Sequence, residues 1–303
     1  MATLSAVLAT THHPFYYKAT ELTPPEEQMP QAAEWKAKVE AYRATLTAAE
    51  PELLVMVGSD HFHQFFYDNY PTFLIGKQAR YDATFSNEIR EFGMPTYELE
   101  GHEELSGFML RGLLERGFDF SVSNELKIDH SIICPIITTR PAGDLPIVPI
   151  YTNIFAPPLP SPKRFYELGR AIREIIEEFP SDKRVAAIGS GHLSLELGGP
   201  RMFEEHGPDP EWDVQAIEWL ATGNIEAILE NVTWESMSAS GNATPGFLDL
   251  ILMLGIAGPE QAAYVDDLDL YHTREMYMTW YPGGDPREKR GASSAVVSEE
   301  ARA

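Results

Sequence analysis

Two short apolar runs, residues 4–9 and 52–57, each end in a histidine-bearing loop. Between them Trp35, Val39, Tyr42 and Leu46 recur at the i, i+4, i+7, i+11 spacing of one buried helix face. Pro24-Pro25 supplies a helix entry ahead of that stretch. Strand, helix and strand in that order point to an α/β fold and exclude an all-β one. The expectation is a single domain with a central mixed β-sheet flanked by helices.

The rest of the chain continues the alternation. Residues 103–116 read as a helix, 118–122 as a strand, and Asp129-His130 as part of a loop ending at Pro135. Residues 145–151 read as a strand, followed by a Pro157-Pro158-Leu159-Pro160 turn. Ser161 caps a helix whose stripe is Phe165, Leu168, Ile172 and Ile175. Residues 184–188 form a strand running into Gly189-Ser190-Gly191-His192. Residues 211–229 are helical with a break near Gly223, and Phe247, Leu250, Ile251 and Leu254 mark a strongly apolar helix ended by Gly255 and Gly258. The aromatic stretch 271–281 is expected to pack on the body or on a partner. The domain is expected to span 1–282, and the Gly-, Ser- and charge-rich residues 283–303 to form a disordered tail.

Composition narrows the function. With 46 acidic and 23 basic residues the formal net charge is −23, which repels nucleic acid and anionic membranes. No apolar run approaches the roughly 20 residues of a membrane span, and the N-terminus lacks the basic region of a signal peptide. The single cysteine, Cys134, excludes an intrachain disulfide framework and fits a reducing cytoplasm. Its apolar neighbours Ile132, Ile133 and Pro135 point to an inert buried thiol. The Gly189–Gly191 turn lacks the complete G-x-G-x-x-G pattern and its ribose-binding acid, which excludes a dinucleotide site.

Four histidines fall in loops after or beside predicted strands: His12, His61, His130 and His192. Strand ends are where open α/β folds bind ligands, and neutral imidazole is the commonest metal ligand. His63 lies two residues beyond His61 and on the same face of an extended segment, whereas His13 points away if His12 points in. Asp60 and Asp129 each precede a histidine and are expected to cap or orient their loops.

Taken together, several segments resemble the class III extradiol ring-cleaving dioxygenases, most closely the catalytic β subunit of protocatechuate 4,5-dioxygenase. They are Thr11-His12-His13-Pro14, Asp60-His61, residues 71–76, Asp129-His130, residues 157–164, and the stretch from Gly189 to Pro200. The resemblance covers roughly residues 4 to 270. It implies Fe(II) held by two histidines and a glutamate, a catecholic or phenolic substrate, and O2. It makes His12 and His61 the imidazole ligands and His130 a substrate contact, while His63, from its spacing to His61, is expected to support the site or touch substrate. Its glutamate position falls on Gly246 and its acid–base histidine on Leu195, neither of which can do that work. His192 is then the replacement acid–base group, and Glu196 or His192 the replacement third ligand. Chemistry altered from ring cleavage is an implied outcome. So is a non-catalytic subunit or binding protein of the same fold that pairs with an active homologue. The resemblance also implies a homo-oligomer, or a hetero-oligomer with a homologous or small α subunit.

Overall fold

Both faces of the central strands are buried, and this makes them read as near-continuous apolar runs. A computed structural model describes residues 1–270 and 273–288. The strands are β1 (Thr3–Thr11), β2 (Leu53–Gly58), β3 (Phe73–Gly76), β4 (Arg80–Asp82), β5 (Glu98–Glu100) and β6 (Ser121–Ser123). They continue with β7 (Ile147–Thr152), β8 (Arg184–Gly191), β9 (Tyr264–Leu270) and β10 (Thr273–Trp280). Eight of them form one sheet in the order β6-β3-β7-β2-β8-β1-β10-β9, and β4 pairs with β5 separately. The centre, β7-β2-β8-β1, is parallel. β3 joins β7 antiparallel at one side, and β10 joins β1 antiparallel at the other. The chain is thus an α/β domain built on a mixed sheet.

The helices are α1 (Pro14–Tyr17), α2 (Ala32–Ala49), α3 (Ser86–Phe92), α4 (Glu103–Glu115) and α5 (His130–Thr139). They continue with α6 (Pro162–Glu178), α7 (Pro210–Thr222), α8 (Ile225–Asn231), α9 (Trp234–Ala239) and α10 (Phe247–Ala257). Alternate residues of β1 divide between two cores, Val7 and Ala9 against α4, α6 and α10, and Ala6 and Leu8 against α2 and α5.

Several boundaries differ from expectation for identifiable reasons. Pro25 opens only a short 3-10 turn, and α2 begins at Ala32. His130 opens α5 rather than lying in a loop. Asp129 caps that helix by accepting the Ser131 N–H, and Pro135 sits inside it. Proline cannot donate to the carbonyl four residues back; that Ser131 carbonyl instead accepts the Ser190 hydroxyl from β8. Gly255 does not end α10. A Cβ there would lie 2.3 Å from the Tyr166 carbonyl, and one at Gly169 would lie 2.1 Å from the Leu252 carbonyl, so both glycines serve the close contact of α6 with α10. The described part of the aromatic stretch is interior: Tyr277, Trp280 and Tyr281 are buried on or just after β10. Tyr271 and His272 lie outside the described residues. Of the stretch expected to be a disordered tail, residues 283–288 are described, with Arg287 donating to Asp285 and to the Ala263 carbonyl. Residues 289–303 lie outside the described residues.

Candidate metal centre

Adjacent parallel strands β2, β8 and β1 end side by side, with Val57 opposite Gly189 and Thr11 opposite Gly191. The chain leaving each of them delivers a histidine: His61, His192 and His12. One ligating atom from each lies within 4.8 Å of the other two. His12 Nε2 and His61 Nε2 are 3.2 Å apart, and the His12 and His192 ring centroids 4.4 Å.

The loop after β2 is braced at each step. Ser59 and Thr152 donate to the buried Asp249 carboxyl on α10. Burial raises that carboxyl to about 7, against the pull of these two bonds. Asp60 accepts the N–H groups of His63, Gln64 and Phe65, which is the loop-capping role expected of it. Between the two histidines Phe62 adopts φ 56°, a left-handed conformation costly for a bulky residue. His61 Nδ1 meets Asp129 Oδ2 at 2.9 Å, and the same oxygen accepts the His61 N–H. The other Asp129 oxygen accepts from Ser131 and from the Tyr151 hydroxyl. With its Nδ1 proton given to Asp129, His61 presents the Nε2 lone pair to the cluster.

Burial holds His12 well below the ordinary imidazole range, and His192, His61 and His130 add to the effect. His192 is lowered in the same way by burial and then by His61, His13 and His130. Both are therefore neutral near pH 7, the form that binds a metal. Three imidazole nitrogen donors converge here, one already oriented by a carboxylate, and this donor set suits a first-row transition ion.

A second group adjoins the first: His63, Glu88, Asp129 and His130. Its carboxylate oxygens are already engaged. Glu88 Oε1 accepts both the backbone N–H and Nδ1–H of His130, at 2.8 and 2.6 Å, and Oε2 accepts the Phe85 N–H. We read it as a hydrogen-bonded brace, not a second metal site. Burial and then His61 lower the His130 pKa, with Glu88 opposing. Burial alone would lower His63, but Asp129, Glu88 and Asp60 outweigh it and raise the imidazole. His63 also meets Asn87 Nδ2 at 3.0 Å and stacks on Phe85.

Of the predicted residues, the structure brings His12, His61 and His192 together and sets His130 and His63 beside them. Glu196 stays away, because its carboxylate holds the Arg201 guanidinium at 2.8 Å. His13 turns from the cluster and stacks on Tyr16. Sequence reasoning missed Glu88, whose only local signal is its place three residues after the N-cap of α3. Asp129 was expected to serve its own loop, and its bond to His61 across 68 residues has no local signal.

Aromatic rings flank the histidines: Phe155 lies 5.0 Å from the His61 ring and Phe92 6.2 Å from the His130 ring. A cleft of about 450 Å³, lined by Phe15, Tyr16, Met29, Met202 and Phe203, opens beside α1 just past His12 and His13.

Residues 6–277 match the family described as the catalytic LigB subunit of aromatic ring-opening dioxygenase. The chain belongs to this family. A 2,3-dihydroxyphenylpropionate/2,3-dihydroxicinnamic acid 1,2-dioxygenase of Rhodococcus rhodochrous is 30% identical over 291 residues, covering 89% of this chain and 82% of that protein. A counterpart from Rhodococcus globerulus is 29% identical over 202 residues, covering 65% of this chain and 58% of that protein. An uncharacterized Escherichia coli K12 protein of known crystal structure shares the fold, with a TM-score of 0.54 at 15% identity over 91% of this chain and 99% of that one. LigB-family dioxygenases are metal-dependent, and the cluster is where this member's donors converge. Within it Gly246, at the entrance to α10, packs directly against His192: a Cβ at Gly246 would lie 2.5 Å from His192 Cδ2 and 3.0 Å from its Cβ and Cγ. The imidazole of His192 thus fills the space a side chain at 246 would need. Leu195 is buried.

The brace behind His61 can be tested directly. Asp129→Ala removes the Nδ1 acceptor and is expected to weaken metal binding 10–100-fold, the usual cost of losing such a partner. Chelator competition measures it, and an unchanged affinity would show that His61 needs no support.

Proposed function

We propose that this chain is a metal-dependent oxygenase of the LigB type acting on small catecholic or phenolic compounds, with His12, His61 and His192 as the protein ligands of the metal. The observation that carries this reading is the convergence of three imidazoles at the ends of three neighbouring parallel strands. Iron(II) is the ion the family resemblance favours. Bound there, it would supply a positive centre for adjacent substrate oxygens and for O2.

The protein's own groups do the rest. Glu88 fixes the Nδ1–H tautomer of His130 and leaves Nε2 as the ring nitrogen free to accept a proton from a substrate hydroxyl. His63, its imidazole raised by Asp129, Glu88 and Asp60 against burial, stands beside His130 as a further contact for the substrate. Phe155 and Phe92 give flat apolar faces suited to an aromatic ring. In this reading His192 is a ligand, and the acid–base role passes to His130.

A second reading rests on Gly246 and Leu195: with neither a carboxylate nor an imidazole at these positions, the chain acts as a non-catalytic subunit paired with an active homologue. Metal analysis of protein purified without chelators, followed by oxygen uptake with 2,3-dihydroxyphenylpropionate, protocatechuate, gallate and catechol, separates the two. Near-stoichiometric iron and oxygen consumption with one of these diols support the enzyme. Metal-free protein of unchanged stability overturns it. A zinc-loaded protein that consumes no oxygen also overturns it, and moves the reading to the hydrolytic chemistry of three-histidine zinc sites.

A further inference from the structure

His12 and His61 are supported unequally. Asp129 takes the Nδ1 proton of His61. Among the described residues no atom does this for His12, whose Nδ1 is buried and makes no hydrogen bond to them. A metal-bound imidazole almost always gives its second ring N–H to a carboxylate, a carbonyl or a water.

Beside His12 lies a narrow space of about 20 Å³, lined among others by Thr11, Tyr16, Cys134, Glu275 and Tyr277. Two of its lining side chains carry unpaired buried polar atoms, His12 Nδ1 and the Tyr277 hydroxyl. A third, Glu275, is 4% exposed. Its Oε2 accepts the Thr11 hydroxyl at 2.9 Å, and a carboxyl can accept more than one bond. A single water needs about 10–15 Å³ and two to four polar partners. The space satisfies both conditions for one molecule.

We infer that this cavity is a one-water site through which Glu275, on β10, holds the Nδ1 side of His12. The water accepts from His12 Nδ1–H, donates to a Glu275 oxygen, and takes the Tyr277 hydroxyl as its third partner. Both imidazoles then share one tautomer, with Nδ1–H directed outward and the Nε2 lone pair directed inward. Glu275 is a positioning residue: it touches neither substrate nor metal. The arrangement does not need Glu275 ionised, since the carbonyl oxygen of a neutral acid also accepts a hydrogen bond. The inference rests on His12 being a metal ligand, as proposed above.

The test compares Glu275→Gln, which keeps an acceptor, with Glu275→Leu, which does not. Chelator competition should show Glu275→Gln within about threefold of wild type and Glu275→Leu weakened 10–100-fold, the range for loss of an outer hydrogen-bond partner. Equal metal retention by both variants overturns the inference. Should Glu275→Leu not fold, a high-resolution crystal structure of the wild-type protein decides. An ordered water within hydrogen-bond reach of both His12 Nδ1 and Glu275 supports the inference, and a dry cavity overturns it. A wild-type protein that binds no metal removes the proposed function, yet the crystal structure still decides the water site.

Discussion

The His12→Ala/His61→Ala protein is expected to purify with no bound metal and to consume no oxygen with any diol, while keeping its fold. Two of the three proposed ligands are gone, and one remaining imidazole does not retain a divalent ion. The fold survives because neither residue pairs in the sheet: β1 ends at Thr11 and β2 at Gly58. Acid stability should change as well. In wild type, burial first and neighbouring imidazoles second depress the folded pKa values of His12 and His192, whereas unfolded histidines titrate near ~6.5. Below about pH 6.5 the unfolded chain therefore takes up more protons than the folded one, so stability held in full above that pH falls as the pH drops. The double variant removes His12 from this balance and, with His61, one of the groups that depress His192. Its melting temperature, followed from pH 8 to 5 without metal, should decline less steeply than that of wild type. Full metal content in the variant would remove His12 and His61 from the site.

The second large effect concerns Gly246. Gly246→Glu places a Cβ 2.5 Å from His192 Cδ2, so the new side chain and the imidazole cannot both stay. Forcing extra atoms into a packed site costs about 1–3 kcal/mol, and displacing His192 removes a proposed ligand. The single variant should therefore lose both stability and metal. Adding His192→Gly opens the space again and gives the new carboxylate room to reach the pair formed by His12 and His61. The double variant should recover stability and bind metal through two histidines and a glutamate. Residues in contact are expected to couple by 0.5–3 kcal/mol, and a thermal-melt cycle over the four proteins measures this coupling. Additive effects would mean that Gly246 and His192 do not share one space.

The parts of this site that were legible in the sequence are those set by local pattern. The apolar runs at 4–9 and 52–57 and the helix stripe through Trp35 and Leu46 show a sheet covered on both faces. A histidine just past a buried strand is then placed by the strand itself. What the sequence hid was set by contacts between distant segments. Asp129 has the short-range look of a cap, which it is, but its second oxygen reaches His61 from another element. Pro135 looks like a helix boundary, and a hydroxyl on β8 removes the cost of leaving it inside α5. Gly255 looks like a helix stop, and the backbone of α6 is what requires it. Glu196 and His192 are equal candidates for third ligand in the sequence, and only packing pairs Glu196 with Arg201. Glu88 and Glu275 become visible only when the strands and helices bearing them are packed.

The order β2-β8-β1 has a consequence for how long the protein lasts in a cell. The three proposed ligands sit at positions 12, 61 and 192, so no short peptide of this chain carries the site, and it exists only once the parallel strands have paired. An ion bound there clasps three neighbouring strand ends and leaves the unfolded chain without a comparable grip. Saturation at a hundred times the dissociation constant would add about 2.7 kcal/mol to unfolding, lowering the population open to proteases by about a hundredfold. Metal supply would then set the turnover of the protein as well as its activity, and starvation for the ion would clear the empty chains first.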